Sequence, residues 1–304
     1  MLILKLAYNE ELDFVEELQE LRELLKKKGI LIGLVESIEE NTHIIKVMCD
    51  EDSHSEKIQE VINLYVSNIL YRIVIDNYRQ KEMFEFLIDN YFFLKQSEIL
   101  EVENQIIKVL KCEKIVKDED SIYCLNRINS MIEKIRDCIN EKQEININGF
   151  ITFRMRKLRS DIEKIIDKVV GSYMIEKEYR EFVRLLKYFV DIQECKIEEV
   201  NIIIEAVNKY IVMDGKGNNL YEEFLKELSG PKSDDEFNME DILISGLITS
   251  APRKIVIHNI DNATNKEFLD TINNVFGERV DYCKGCIKCL EKKIITKNID
   301  MYQQ

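Results

Sequence analysis

The sequence predicts an α+β protein that is predominantly helical. Only two prolines, Pro231 and Pro252, and ten glycines occur among its 304 residues, so few residues interrupt helices. Apolar residues recur at helical spacing through the middle of the chain, whereas short runs with the character of strands occur toward both ends. We therefore expect a central helical body between a small N-terminal β-α-β-β piece and a C-terminal mixed α/β piece that contains a βαβ unit.

Residues 1–50 are predicted to form the small βαββ subdomain. Three short apolar runs have the composition of strands, and the segment between the first and the second carries apolar residues at helical spacing. The three runs are LILKLAY (2–8), ILIGLV (30–35) and HIIKVM (43–48). Because three strands and one helix bury little apolar surface alone, this sheet is expected to pack on a partner surface.

Residues 51–195 are predicted to form the helical body. Its most hydrophobic stretch, VINLYVSNILYRIVI (61–75), is interrupted by polar residues, which predicts a buried core helix and no membrane span. Gly171 is expected to break the segment after Asn148 into two helices, since glycine disfavours a helix interior. The second of these helices is expected to bury four apolar residues: Phe182, Leu185, Leu186 and Phe189.

Residues 196–290 are predicted to form the C-terminal α/β subdomain, and residues 291–304 a tail. After Gln193 the apolar period changes from helix to strand, and the runs at 200–207 and 209–218 suggest a β-hairpin. A strand, a helix and a strand then follow in KIVIHNI (254–260), NKEFLDTINNVFG (265–277) and RVDYC (279–283). These three elements predict a βαβ unit with a right-handed crossover.

The charge of the chain limits its partners. The formal net charge is −14 and the sequence pI is about 5.0, so the protein repels phosphate backbones and nucleic acid is not expected as a partner. The first residues lack a basic segment ahead of an apolar run, so no secretory signal is expected. We expect a cytoplasmic chain whose eight cysteines are reduced.

Three cysteines near the C-terminus form a cluster with chemical character: Cys283, Cys286 and Cys289, in DYCKGCIKC. Thiolates are soft ligands that favour zinc, Cu(I) and iron–sulfur clusters, and Cys-x-x-Cys spacing lets two sulfurs reach one metal. A structural zinc site or a cluster needs a fourth ligand, and no cysteine follows Cys289. The cysteines could instead form a reduced or redox-active thiol set, or belong to an incidental tail.

His258 is the candidate for the fourth ligand. It lies toward the carboxyl end of the predicted strand 254–260, and Cys283 follows the parallel strand of the same βαβ unit. Both carboxyl ends lie at one edge of the sheet, where ligands of open α/β sheets collect. A Cys₃His site is therefore feasible, but the alternation of the strand also allows His258 to face the packed helix layer as a hydrogen-bonded histidine.

The densest basic patch of the chain contains Arg154, Arg156, Lys157 and Arg159, joined later by Arg184. If two helices pack here, Arg154 and Arg184 could line one cleft and hold an acidic partner or a phosphate. The alternative, which the sequence favours, is that these side chains pair on solvated faces with Asp161, Glu176, Glu178 and Glu181.

Four stretches from Gly149 onward carry a likeness to a known family: GFITFRMRKLR (149–159), EKEYREFVRLLKYFVDIQE (176–194), VNIIIEAVNKYIVMDGKGN (200–218) and SGLITSAPRKIVIHN (245–259). They resemble the YtxC-like family of sporulation proteins, which occur in endospore-forming bacteria. The resemblance covers residues 149–290 well and the N-terminal part more loosely. It implies a role in sporulation and a cytoplasmic location, but these motifs contain no recognised catalytic signature.

The sequence supports two hypotheses about function. The first is a non-enzymatic, cytoplasmic interaction protein of sporulation, of undefined biochemical activity, whose helical surfaces contact protein partners. No catalytic residue is assigned. The second is a metal-binding module with zinc or an iron–sulfur cluster, or a thiol-redox module, built on Cys283, Cys286 and Cys289 with help from His258.

Overall fold

The structure is a computed structural model that describes residues 1–9, 14–50, 55–113, 119–206, 209–228, 238–286 and 289. The side chains of residues 154, 155, 206, 227 and 228, and the predicted tail 291–304, lie outside the described part. The chain divides into two compact units, Met1–Met174 and Ile175–Gln304. The four-segment division expected from the sequence stays a prediction. The described fold is 64% helical with small mixed sheets, which confirms the predicted class.

The first unit begins with the predicted β-α-β-β order: β1 (Leu2–Tyr8), α1 (Val15–Lys27), β2 (Ile32–Glu39) and β3 (Thr42–Cys49). Strand β3 pairs antiparallel with both β1 and β2. A further strand, β4 (Glu144–Asn146), pairs parallel with β1, so the order in the sheet is β2-β3-β1-β4. Strand β4 was not predicted, because three residues are too few to show strand periodicity.

Helices supply the surface that this sheet needs: α2 (Glu56–Tyr78), α3 (Phe84–Asn90), α4 (Gln96–Leu110) and α5 (Glu119–Glu141), with a π-helical turn at Arg79–Met83. These helices share one apolar core with the sheet and α1. In α2, Ile62, Val66 and Val74 are fully buried, as predicted for a core helix. Among the described helices, none combines the length and the apolar character that crossing a membrane requires.

Helix α6 (Ile147–Ile192) is continuous over 46 residues, so the predicted break at Gly171 is wrong. Glycine costs a helix interior only about 1 kcal/mol relative to alanine, and the buried neighbours Val170 and Tyr173 fix this stretch in the core of the first unit. The predicted burial of the later residues is also wrong for Phe182, Leu185 and Phe189, which are about half exposed. Leu186 is partly buried against the core of the second unit.

The second unit contains β5 (Glu199–Ala206), β6 (Lys209–Asp214), α7 (Tyr221–Leu228), α8 (Met239–Ser250), β7 (Lys254–His258), α9 (Lys266–Phe276) and β8 (Val280–Tyr282). The order in its sheet is β6-β5-β7-β8. Strands β5 and β6 form the predicted antiparallel hairpin, and β7 pairs parallel with both β5 and β8. The sequence β7-α9-β8 is therefore the predicted βαβ unit.

The two faces of this second sheet differ. On one face, alternate residues of β5 and β7, such as Ile202 and Ile257, share a core with α7, α8 and α9. Ile202 pairs with Ile257, and the next pair along the two strands is Ile203 and His258. Because successive side chains of a strand point to opposite faces, His258 lies on the face away from these helices.

Candidate metal centre

His258 is the last residue of β7 and is buried, with 4% of its surface exposed. Its position on the face opposite the helix core decides between the two orientations that the sequence left open. Asn201 of β5 lies on the same face, because it pairs with Val256, two residues before His258. This face therefore carries two buried polar side chains at the carboxyl end of β7.

Cys283 lies beside His258 because it continues the parallel pairing of β7 with β8. Ile257 pairs with Tyr282, and the backbone N–H of Cys283 donates to the carbonyl oxygen of Ile257 at 2.9 Å. His258, which follows Ile257, and Cys283, which follows Tyr282, are therefore neighbours at the edge of the sheet. The sheet itself positions the first sulfur.

A turn after Cys283 returns the chain to His258. Gly285 has a φ of +114°, a conformation that glycine adopts readily and L-residues with a Cβ rarely adopt. Its N–H donates to Cys283 Sγ at 3.4 Å. The N–H of Cys289 then donates to the carbonyl oxygen of Cys286 at 3.0 Å, so Cys286 and Cys289 approach the same point.

The four side chains converge on one small volume. The Nδ1 atom of His258 and the sulfurs of Cys283, Cys286 and Cys289 all lie within 4.8 Å of one another. Cys286 and Cys289 are 3.6 Å apart, Cys283 and Cys289 are 3.8 Å apart, and Nδ1 lies 3.5 Å from the sulfurs of both Cys286 and Cys289. This cluster could hold a metal ion.

The distances fit the edges of a coordination tetrahedron. With zinc–sulfur bonds of about 2.3 Å and zinc–nitrogen bonds of about 2.0 Å, two sulfurs would be separated by about 3.8 Å and a sulfur and a nitrogen by about 3.5 Å. The three distances among Cys286, Cys289 and Nδ1 lie close to these values, and so does the distance between Cys283 and Cys289. The two other distances from Cys283 are at most 4.8 Å. The four donors are therefore near enough to one another to hold one ion.

A hydrogen-bond chain behind His258 sets which ring nitrogen faces the cysteines. The side-chain oxygen of Asn201 lies 3.0 Å from Nε2 of His258, and the side-chain nitrogen of Asn201 donates to Glu199 Oε1 at 3.0 Å. A carboxylate accepts hydrogen bonds only, so it fixes the amide with its oxygen toward His258. Nε2 then carries the proton, and Nδ1 keeps its lone pair for a ligand.

Burial raises the pKa of the Cys289 thiol, and its contacts with the sulfurs of Cys286 and Cys283 raise it further. Without a cation, the buried thiol therefore resists ionisation. A bound dication would reverse this effect, because it stabilises the thiolate directly. The raised pKa thus disfavours an activated thiol at Cys289.

The predicted basic patch does not form the cleft expected from two packed helices, because its residues all belong to the continuous helix α6. Arg159 forms ion pairs with Glu82 at 3.2 Å and Glu163 at 2.9 Å. Arg156, Lys157 and Arg184 are exposed, and the side chain of Arg154 lies outside the described part. Arg159 therefore pairs with acids, but these are Glu82 and Glu163 and not the acids expected from the sequence.

Sequence reasoning missed Asn201 and Glu199 as parts of the site. Asn201 is the polar residue within the apolar run VNIII of β5, and a buried amide in such a run needs a partner. That requirement was a usable signal. The partner of Asn201, His258, could not be inferred without knowing that β5 pairs with β7.

Comparison with known proteins gives one family and one relative. The YtxC-like family matches residues 64–281. A relative from Bacillus subtilis (strain 168), described as the uncharacterized protein YtxC, is 23% identical over 230 residues, which cover 72% of this chain and 76% of the relative. No solved structure matches. The family match includes Asn201 and His258 and ends two residues before Cys283.

Proposed function

This chain belongs to the YtxC-like family, and from that premise we propose that it is a zinc-binding, non-enzymatic interaction protein that acts in the cytoplasm during sporulation. The sporulation role and the location rest on the resemblance of residues 149–290 to YtxC-like sporulation proteins. The zinc site rests on one observation, the convergence of three cysteine sulfurs and His258 Nδ1 within 4.8 Å.

Zinc fits this donor set better than the alternatives considered for it. Three thiolates and one imidazole are a recurrent ligand set of structural zinc sites. In a [4Fe–4S] cluster each ligand binds a different iron, which requires sulfurs farther apart than those of Cys286 and Cys289 at 3.6 Å. Cu(I) prefers sulfur ligands alone, whereas zinc accepts both sulfur and nitrogen.

The proposed site is structural because protein donors fill all four positions. A catalytic zinc keeps one position open for water or substrate, and here the fourth position belongs to His258, which is buried. A metal at this point would tie the segment after β8 to the end of β7. This arrangement supports a function in folding and in presenting surfaces rather than in catalysis.

The thiol-redox alternative has weaker support. Redox-active cysteines usually have lowered pKa values and accessible sulfurs. Cys289 is buried and the pKa of its thiol is raised. Both properties disfavour nucleophilic attack by this sulfur.

Metal content tests the proposal directly. We expect protein purified without oxygen to contain about one zinc per chain and to be colourless, and Cys286→Ser to have lost most of the metal. Cys195→Ser is the matched control, since Cys195 is an exposed free cysteine of the same unit and should leave the metal content unchanged. Stoichiometric iron with visible absorption would assign a cluster instead. Wild-type protein that neither contains nor binds a metal would refute the site.

A further inference from the structure

One face of α6 within the second unit is apolar and exposed. Six side chains define it, and we call it the α6 face: Ile175, Phe182, Leu185, Tyr188, Phe189 and Ile192. Ile175, Phe182 and Phe189 follow one another at intervals of seven residues. Leu185 lies three residues after Phe182, and Ile192 lies three residues after Phe189. Alternation of three and four residues is the pattern with which one helix packs along another.

Among the described residues of the second unit, the apolar core contains none of the six residues of the α6 face. Val183, Leu186 and Val190 of the same helix stretch pack against the apolar core of that unit, and they lie on a different side of the helix. The α6 face is between 48% and 70% exposed at each of its residues. Contiguous exposed apolar surface of this kind marks interaction sites.

The size of the α6 face approaches what a protein dimer buries. If a large apolar residue carries roughly 170–200 Å² of surface, the six residues expose roughly 600 Å². A standard interface takes about 800 Å² from each partner, including a polar rim. With its flanking polar residues, the α6 face is large enough for one specific contact.

The charges along the α6 face indicate its partner. At 100° per residue, Glu178 and Glu181 fall within the N-terminal half of the apolar stripe, and Arg184 borders the stripe at the middle of residues 175–192. Two parallel copies in register would place these glutamates level with the same glutamates of the other copy. Two antiparallel copies with Phe182 opposite Leu185 would place Glu181 of one copy within about 3 Å, along the helix axis, of Arg184 of the other, which is favourable.

We infer that the α6 face is the contact between two copies of this chain, packed antiparallel about a twofold axis. In this arrangement Phe182 of one copy meets Leu185 of the other, and Ile175 meets Ile192. The helix is already formed in each copy, so little ordering entropy opposes association. The inference deepens the interaction part of the proposed function and does not depend on the zinc site.

The mass in solution tests this inference. Sedimentation of the full chain at tens of micromolar should give about twice the monomer mass of 36.0 kDa, and Phe182→Glu with Leu185→Glu should raise the dissociation constant at least about 100-fold. Ile88→Glu with Phe92→Glu is the matched control, because both residues are exposed apolar residues of the first unit; this variant should remain dimeric. A monomeric wild type, or a dimer that survives the first pair of substitutions, overturns the inference.

Cysteine crosslinking tests the antiparallel direction in a Cys195→Ser background. Mixed Ile175→Cys and Ile192→Cys chains should form a disulfide-linked dimer, whereas Ile175→Cys alone should not. Efficient crosslinking of Ile175→Cys with itself would show parallel packing and contradict the proposed arrangement. Zinc content measured on the same samples keeps the two proposals apart, because a monomeric protein with one zinc contradicts only the dimer.

Discussion

The side-chain oxygen of Asn201 lies 3.0 Å from Nε2 of His258, while Nδ1 of the same ring lies 3.5 Å from two cysteine sulfurs. The two nitrogens of the imidazole therefore have different neighbours, one an amide and the other thiols. The side-chain nitrogen of Asn201 donates a hydrogen bond to Glu199 Oε1, which fixes the orientation of the Asn201 amide. We therefore infer that Asn201 orients the imidazole of His258 in the proposed site.

Asn201→Ala should weaken zinc binding about 10- to 100-fold, the usual effect of removing a residue that orients a metal ligand. All four ligands remain, so the thiolate-to-metal absorption of the Co²⁺-substituted protein should keep its shape. Competition with a chelator of known affinity measures the zinc affinity, and the absorption spectrum of the Co²⁺-substituted protein shows whether the ligand set is unchanged. Asn68→Ala is the control, because Asn68 lies in α2 of the first unit and donates to the carbonyl oxygen of Leu64. Equal affinities for the two variants would contradict the assignment.

Gly285→Ala should impair the metal centre through the backbone. Its φ of +114° strains any residue with a Cβ, at a cost of about 1–3 kcal/mol, although no atom lies within 4 Å of the position that a Cβ would take. We expect zinc affinity to fall about 5- to 100-fold, as measured by chelator competition. Gly33→Ala is the control, since that position is equally open but has no positive φ. Unchanged affinity in Gly285→Ala would show that the turn tolerates a side chain.

The sequence was sufficient to anticipate the part of the site that depends on strand order. A parallel βαβ unit brings the carboxyl ends of β7 and β8 to one edge, and this rule places His258 near Cys283. It could not give the role of Asn201, because that residue reaches His258 only through the pairing of β5 with β7. Long-range register of this kind leaves no local pattern in the chain.

The helical part shows a different limit of sequence reasoning. Gly171 predicts a break from local propensity, but tertiary packing of Val170 and Tyr173 outweighs a penalty of about 1 kcal/mol. The exposed residues Phe182 and Leu185 have the spacing of a buried stripe. Periodicity indicates that a helix has an apolar face, and it does not distinguish a face that packs within the chain from one that packs on another molecule.

Asp161→Asn should destabilise the first unit in a pH-dependent way. Burial alone would raise the pKa of the Asp161 carboxyl, but hydrogen bonds and charge from Lys134 and Arg127 outweigh it and hold the pKa below its ordinary value of 3.8. Because the folded-state pKa is lowered, the stabilisation is present above the unfolded pKa of about 3.9 and is lost as pH falls through the folded value. We expect a loss of about 1–3 kcal/mol in the free energy of unfolding at pH 7.

Urea unfolding of the first unit, repeated at falling pH, measures this effect. The difference in the free energy of unfolding between wild type and Asp161→Asn should become smaller as the pH approaches 3. Asp137→Asn is the control, because Asp137 is exposed and should change the stability little. A pH-independent difference would mean that the two ion pairs, at 2.8 Å to Arg127 and 2.6 Å to Lys134, do not account for the stabilisation.

Two glycines in helix interiors should respond to alanine in opposite directions. Gly246 lies in α8, and a Cβ there would overlap the side chain of Phe224 in α7, which is fully buried in the core of the second unit. Gly246→Ala should therefore lower the free energy of unfolding by about 1–3 kcal/mol, since the packed ring cannot move aside freely. Gly171 lies in α6 with no atom within 4 Å of its Cβ position, so Gly171→Ala should raise the free energy by about 0.4–1 kcal/mol. Thermal or urea unfolding of the two variants measures both changes, and a stabilised Gly246→Ala would show that α7 and α8 do not approach closely at Phe224.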